Sequence, residues 1–109
     1  MENRRSVPRI PIDVWTQIHK NGICHEGRLL DLSTAGARLA TDMAVEEDDV
    51  VFLDFDPGFG EISGVPSLAV WVKESGGVRQ CGLFFIDIDD ASLNRLARAL
   101  DAIENKAEE

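Results

Sequence analysis

Two short patterns in this 109-residue chain carry side chains suited to holding an anion and reading a planar base. The first is Arg5-Ser6-Val7-Pro8-Arg9, an RxxxR preceded by Arg4. The second is Asp31-Leu32-Ser33-Thr34-Ala35-Gly36, a DxSxxG. Arginine presents a planar, permanently charged fork that matches phosphate and the N7/O6 edge of guanine. An aspartate can accept two hydrogen bonds from a guanine-type N1–H and amine edge, and a serine beside it can donate or accept. Alternation along a strand puts Leu29, Asp31 and Ser33 on one face, opposite Leu30 and Leu32, so Asp31 and Ser33 look outward if those leucines look in. Gly36 allows a positive φ or a close approach of backbone to ligand. Two arginines four apart on an N-terminal arm can wrap an anionic nucleotide against that face. Each charged hydrogen bond contributes about 1.5–3 kcal/mol in favourable settings.

Other side chains admit two readings. Arg38 follows Gly36 by two residues and points outward if Leu39 points in. It either adds a phosphate contact or pairs with Asp31 as a surface ion pair, which is worth little. Trp15 lies on the polar face of the first strand and Trp71 in an apolar run. Each can stack on a purine, but Trp71 is expected in the core and Trp15 under the helix or a partner. His19, His25 and Cys24 flank a hairpin without a fourth ligand at a recognised zinc spacing, so they read as a solvated tip and no metal is expected. Cys24 and Cys81 alternate with apolar neighbours and read as buried thiols. No Ser-His-Asp order, GxSxG or phosphate loop is present, so a catalytic role has no residues to rest on.

The elements that must position these groups are short strands. Residues 10–19 alternate, with Ile10, Ile12, Val14 and Ile18 on one face, and Pro11 marks an edge or a strand start. Asn21-Gly22 signals a tight hairpin into a second strand over 23–32. Ser33–Gly36 is a turn, and 37–40 restarts a strand. After the acidic loop 46–49 come strands at 50–55, 68–73 and 78–86, with 59–65 weakly patterned. Six such strands imply a small antiparallel barrel or a sandwich; closing the sheet removes its sticky edges. The period then changes. Leu93, Leu96, Leu100 and Ile103 form one helical stripe, with Asp89, Asp90 and Ser92 as cap candidates. The organisation expected is a flexible arm over 1–9, a barrel with its helix over 10–104, and a frayed tail over 105–109.

Charge narrows the partners. The net charge is −9, yet the first ten residues carry +2 and the rest −11. An acidic body repels long polyanions, which argues against binding a nucleic acid polymer. A local basic arm suits a small anion held at close range, although it can also be a solvated terminus. No apolar run is long enough to span a bilayer, and Met1 to Arg5 lead into prolines, so neither membrane insertion nor a signal peptide is expected. Two distant cysteines without CxxC fit reduced thiols and a cytoplasmic setting.

The RxxxR, the DxSxxG some twenty residues on, Ala69-Val70-Trp71, and Gly82-Leu83-Phe84-Phe85 together resemble the PilZ domain, from Arg4 to about Leu100. That resemblance implies an all-β fold with one helix: a six-stranded antiparallel barrel plus a C-terminal α-helix. It implies binding of the bacterial second messenger cyclic di-GMP, with no separate cofactor. By position, Arg5 and Arg9 grip phosphates and guanine faces, Asp31 and Ser33 read a guanine edge, and Gly36 keeps the turn open. It further implies that the residue ahead of RxxxR bears on ligand stoichiometry; Arg4 there leans towards a stacked pair of ligands.

The expected function is that of a stand-alone receptor, not an enzyme. The ligand orders the arm, and the new surface signals to an unidentified effector protein. The alternative is a PilZ-like adaptor for pilus or motility machinery that works without nucleotide, since some PilZ-like domains lack the arginines. A third reading, a small barrel enzyme or oligonucleotide binder, is opposed by the charge of the body. Hydrolysis of cyclic di-GMP usually needs a metal cluster that these residues do not assemble.

Overall fold

The computed structural model of the chain describes residues 9–108. Strand β1 (Ile10–Lys20) turns at Asn21-Gly22 into β2 (Ile23–Leu32). Both turn residues take positive φ, 53° and 80°, the conformation a two-residue hairpin matched to strand twist demands. Then follow β3 (Gly36–Thr41), β4 (Val50–Phe55), β5 (Ile62–Ser75), β6 (Val78–Phe85) and the helix α1 (Asp90–Glu108). The strands close as β1-β2-β3-β6-β5-β4, all neighbours antiparallel, and β4 completes the ring by pairing with β1 from Thr16↔Phe55 to His19↔Phe52. The six-stranded barrel with a C-terminal helix is thus the architecture expected, and the sandwich is excluded.

Alternation fills the barrel. Ile18, Leu29, Leu32, Leu39, Leu53 and Ile62 are fully buried, and Phe55 stacks on Phe85 with ring centroids 6.5 Å apart. Burying one such side chain contributes about 1.5–3 kcal/mol. The helix adds Leu96 and Leu100 to this core, next to Ile10. Asp89 caps it: its carboxylate accepts the Ser92 N–H at 3.2 Å. Hydrogen bonding from the Ser92 side chain, and then from its backbone, holds the Asp89 carboxyl below the usual carboxylate range. The helix continues to Glu108, past the boundary expected at 104.

Three expectations change. First, Leu29 lies in the core rather than on the outer face. A bulge between Leu29 and Asp31 makes Leu30 the extra residue, so Leu29 and Leu32 both turn inward. Second, β5 starts at Ile62, within the stretch that reads as weakly patterned. Gly64, at φ 65°, and Pro66 disguise the strand, although Phe55↔Ile62 and Leu53↔Val65 pair. Third, Cys24 is exposed, in the run 23–26 that is exposed throughout; only Cys81 is buried, and burial raises its thiol pKa.

Candidate functional site

The β2 bulge that sends Leu29 inward also aims Asp31 outward. Across the wall, residue by residue, Pro11 pairs with Asp31, Asp31 with Arg38, Arg38 with Gly82, and Gly82 with Trp71. One row therefore crosses β1, β2, β3, β6 and β5 and carries, in order, a carboxylate, a guanidinium, a bare glycine and an indole. A second bulge, between Ala69 and Trp71, puts Trp71 in that row, just as the first places Asp31.

Asp31 sits between two arginines. The Arg9 guanidinium donates to Oδ1 at 3.4 Å, and Arg38 Nε lies 3.3 Å from Oδ2. Asp31 is only 14% exposed, whereas Arg9 and Arg38 are 56% and 40% exposed. The carboxylate is thus roofed by cations that face solvent. Two guanidiniums against one carboxylate leave an excess positive charge here, on an otherwise acidic body. Arg38 Nε is close enough to Asp31 for an ion pair but not aligned for a hydrogen bond, and this buried N–H has no acceptor among the described residues. An unsatisfied buried donor costs about 1–3 kcal/mol until something accepts from it.

Next to Arg38, Gly82 has no side chain, and Trp71 fills the space. A Cβ built there would lie 2.0 Å from Trp71 Nε1, so the indole lies directly over this glycine. Trp71 is 38% exposed, which corrects its expected place in the core. The glycine inside a strand was the available signal, since such a position often marks close approach.

Ser33 and Gly36 play a different part from the one expected. Ser33 is 4% exposed and lies just beyond β2, in the turn. Its Oγ accepts the N–H groups of Ala35 and Gly36, both at 3.1 Å, and the hydroxyl donates to Gly36 O at 3.3 Å. Strand alternation stops at Leu32, so Asp31 and Ser33 do not share an outward face. The serine shapes the turn from inside. Gly36 has no positive φ; its Cβ would lie 2.0 Å from Leu83 O. Glycine is required because β3 and β6 approach so closely there. Arg4 and Arg5, with the rest of the arm to Pro8, lie outside the described residues.

The other candidates are occupied. Arg28 makes a two-pronged ion pair with Asp13, one prong at 2.8 Å, and its guanidinium carbon lies 5.1 Å from the Trp15 ring centroid. His19 bonds Asp54 at 2.8 Å, and His25 bonds Asp42. A depression of about 580 Å³ lies beside Trp15, His25, Arg28 and Asp42, but Arg28 is already paired with Asp13, and Glu26 and Asp42 add carboxylates to its lining. Among the described residues, no three His, Cys, Asp or Glu side chains cluster as a metal site. Nor is any helix long and apolar enough to cross a membrane.

Fold and site together define a small closed antiparallel barrel, plugged by a C-terminal helix, with a cation-rich strip across its outer wall. The PilZ domain family matches residues 3–102, and the chain belongs to that family. Solved structures agree in fold. The PilZ domain of YcgR from Escherichia coli, solved with c-di-GMP, superposes with a TM-score of 0.75 at 17% identity, over 96% of this chain and 95% of that one. The Bacillus subtilis inhibitor of motility MotI/DgrA gives 0.79 at 14% identity, over 96% of this chain and 54% of its own. The K. pneumonia MrkH–c-di-GMP complex gives 0.77 at 21%, over 98% and 54%. The chain therefore spans about half the length of the latter two. Among curated proteins nothing matches at a comparable level.

Proposed function

We propose that this chain is a receptor for cyclic di-GMP that carries no reaction of its own. The observation that carries this reading is the outward row in which Asp31 stands between Arg9 and Arg38 and an indole lies over a glycine beside them. On ligand binding, the Asp31 carboxylate accepts from a guanine N1–H and amine. Arg9 and Arg38 turn from the carboxylate to the phosphates, and the orphaned Arg38 Nε gains an acceptor. Trp71 offers its face to a purine ring. Arg5 joins Arg9 in gripping the anion, and Arg4 favours a stacked pair of ligands. Ser33 and Gly36 act by fixing the turn that ends next to Asp31. The solved YcgR domain and MrkH complex, both holding c-di-GMP on this fold, support the reading.

The same arrangement suggests how the signal leaves the protein. Drawing the arm onto the wall through Arg5 and Arg9 changes the surface there, and a partner protein reads that surface. An intracellular messenger and reduced thiols fit a cytoplasmic setting. Calorimetry with cyclic di-GMP tests the proposal. Binding below tens of micromolar is expected, with a loss of roughly a hundredfold or more in the Arg5→Ala, Arg9→Ala double variant, equivalent to two charged hydrogen bonds. Full binding by that variant would reject the reading. A partner that binds identically with and without nucleotide would favour the nucleotide-independent adaptor.

A further inference from the structure

The wall has a second outward face, apolar rather than charged. Val50 pairs with Leu68 and Leu68 with Phe84, which makes one row across β4, β5 and β6. Phe52 pairs with Pro66, whose carbonyl accepts the Ile86 N–H at 2.8 Å, which makes a second row beside it. Val50, Phe52, Phe84 and Ile86 are 42–49% exposed. Outward positions of an antiparallel barrel ordinarily alternate to polar residues, and here two adjacent rows on three strands do not. A contiguous exposed apolar patch of this kind marks an interaction surface.

What surrounds the patch says what fits it. Asp48 and Asp49 lie at one margin, where their backbones exchange hydrogen bonds with Ala69. Glu47 is exposed in the same loop, and Asp87, exposed, follows Ile86 at the other margin. The nearest cations are already committed: Lys20 pairs with Asp49 at 2.7 Å, and Arg79 lies 3.6 Å from Glu46. A second copy would bring the same acidic margin and another net charge of −9, so self-association is opposed. Three strands about 4.8 Å apart give a face about 10 Å wide, the width of one helix with its side chains.

We infer that the β4–β5–β6 face docks an amphipathic helix of a partner protein, with an apolar stripe seated on Phe52 and Phe84 and lysines or arginines along its flanks. This deepens the partner half of the proposed function and rests on it. The face is also tied to the nucleotide site. Phe84 pairs with Gly36, and the Phe85 N–H donates to Ala35 O at 2.8 Å, so the strand that presents Phe84 is bonded to the turn beside Asp31. A ligand that tightens that turn alters the docking face directly.

The test uses the full chain and an 18-residue helical peptide of leucine and lysine in amphipathic order. Controls are its leucine–glutamate counterpart and a lysine–serine peptide without the apolar stripe. Amide NMR is expected to show shifts at Val50–Phe52, Ser67–Val70 and Phe84–Ile86 with the leucine–lysine peptide only. Affinity should fall by roughly tenfold or more in the Phe52→Thr, Phe84→Thr variant, as for aromatic anchors. Shifts elsewhere, equal binding of the lysine–serine peptide, or no loss in the variant would overturn the inference. Sedimentation showing a dimer that Phe84→Thr dissolves would assign the face to a second copy instead and would also overturn it. Calorimetry of the wild-type chain keeps the two readings apart. Cyclic di-GMP binding beside absent peptide binding condemns the docking face alone, and peptide binding without any nucleotide binding condemns the receptor alone.

Discussion

Two places on the barrel wall hold the same three residue types, an aspartate, an arginine and a tryptophan, and they differ in what is left free to bond. Around Trp15, Arg28 is saturated: its fork is taken by Asp13 and its face by the indole, 5.1 Å away. Around Trp71, the arginine and the indole are separated by a glycine that the indole covers. Arg38 is held by Asp31 without a hydrogen bond, and its buried Nε has no acceptor among the described residues. The depression beside Trp15 offers an anion little, because its one arginine is taken by Asp13 and Glu26 and Asp42 also line it. Free hydrogen-bonding capacity at the arginine, rather than residue type, distinguishes the two.

The largest expected effect breaks the comparison at the two aspartates. Asp31→Ala removes the acceptor for a guanine edge and is expected to weaken cyclic di-GMP by roughly a hundredfold, the cost of two charged hydrogen bonds. Asp13→Ala should leave calorimetric affinity unchanged; equal losses in both would erase the distinction.

Next comes the aromatic pair. Trp71→Ala is expected to cost about 1–3 kcal/mol of stacking, or roughly tenfold to a hundredfold in affinity. Trp15→Ala, by calorimetry again, should cost nothing in affinity. A smaller effect concerns the ground on which the site stands. Gly36→Ala drives a methyl into the Leu83 carbonyl and is expected to destabilise the fold by about 1–3 kcal/mol, lowering the thermal midpoint by roughly 10 °C. An unchanged melting curve would show that β3 and β6 have room to part.

The smallest effect is electrostatic and sharpens the contrast from the closed side. Arg28 beside Asp13 holds that carboxyl below its ordinary value, and Lys20 does the same for Asp49. A carboxyl whose folded pKa is depressed binds protons more readily when unfolded. Its contribution is therefore whole above the ordinary carboxylate value and is lost as pH falls through the depressed one. Stability should thus be flat near neutrality and decline on the acid side. The decline should be shallower in Asp13→Asn, as followed by thermal melts between neutral and acidic pH. A variant curve parallel to the wild type would remove Asp13 from this account.

Much of this was legible in the residues. Period-two alternation located all six strands, and the Leu96–Leu100 stripe located the helix. Asp31 and Arg38 were recognised as outward neighbours. What escaped was the bulges, because one extra residue shifts phase without any change in composition. That is why Leu29 was assigned to the wrong face and Trp71 to the core. Ser33 escaped for a related reason: alternation holds only while the strand lasts, and the strand ends at Leu32. Gly36 stands out in the sequence for its ligand-side freedom, whereas the constraint seen in the fold comes from Leu83 across the sheet.

Two single-tryptophan proteins test the central claim most directly. In Trp15→Phe, where Trp71 is the remaining indole, cyclic di-GMP should quench fluorescence saturably, at the midpoint found by calorimetry. In Trp71→Phe, where Trp15 remains under Arg28, the signal should stay constant through the same titration. Quenching of Trp15 alone, or an unmoved Trp71 at a ligand concentration that saturates the protein, would contradict a nucleotide seated across Asp31, Arg38 and Gly82.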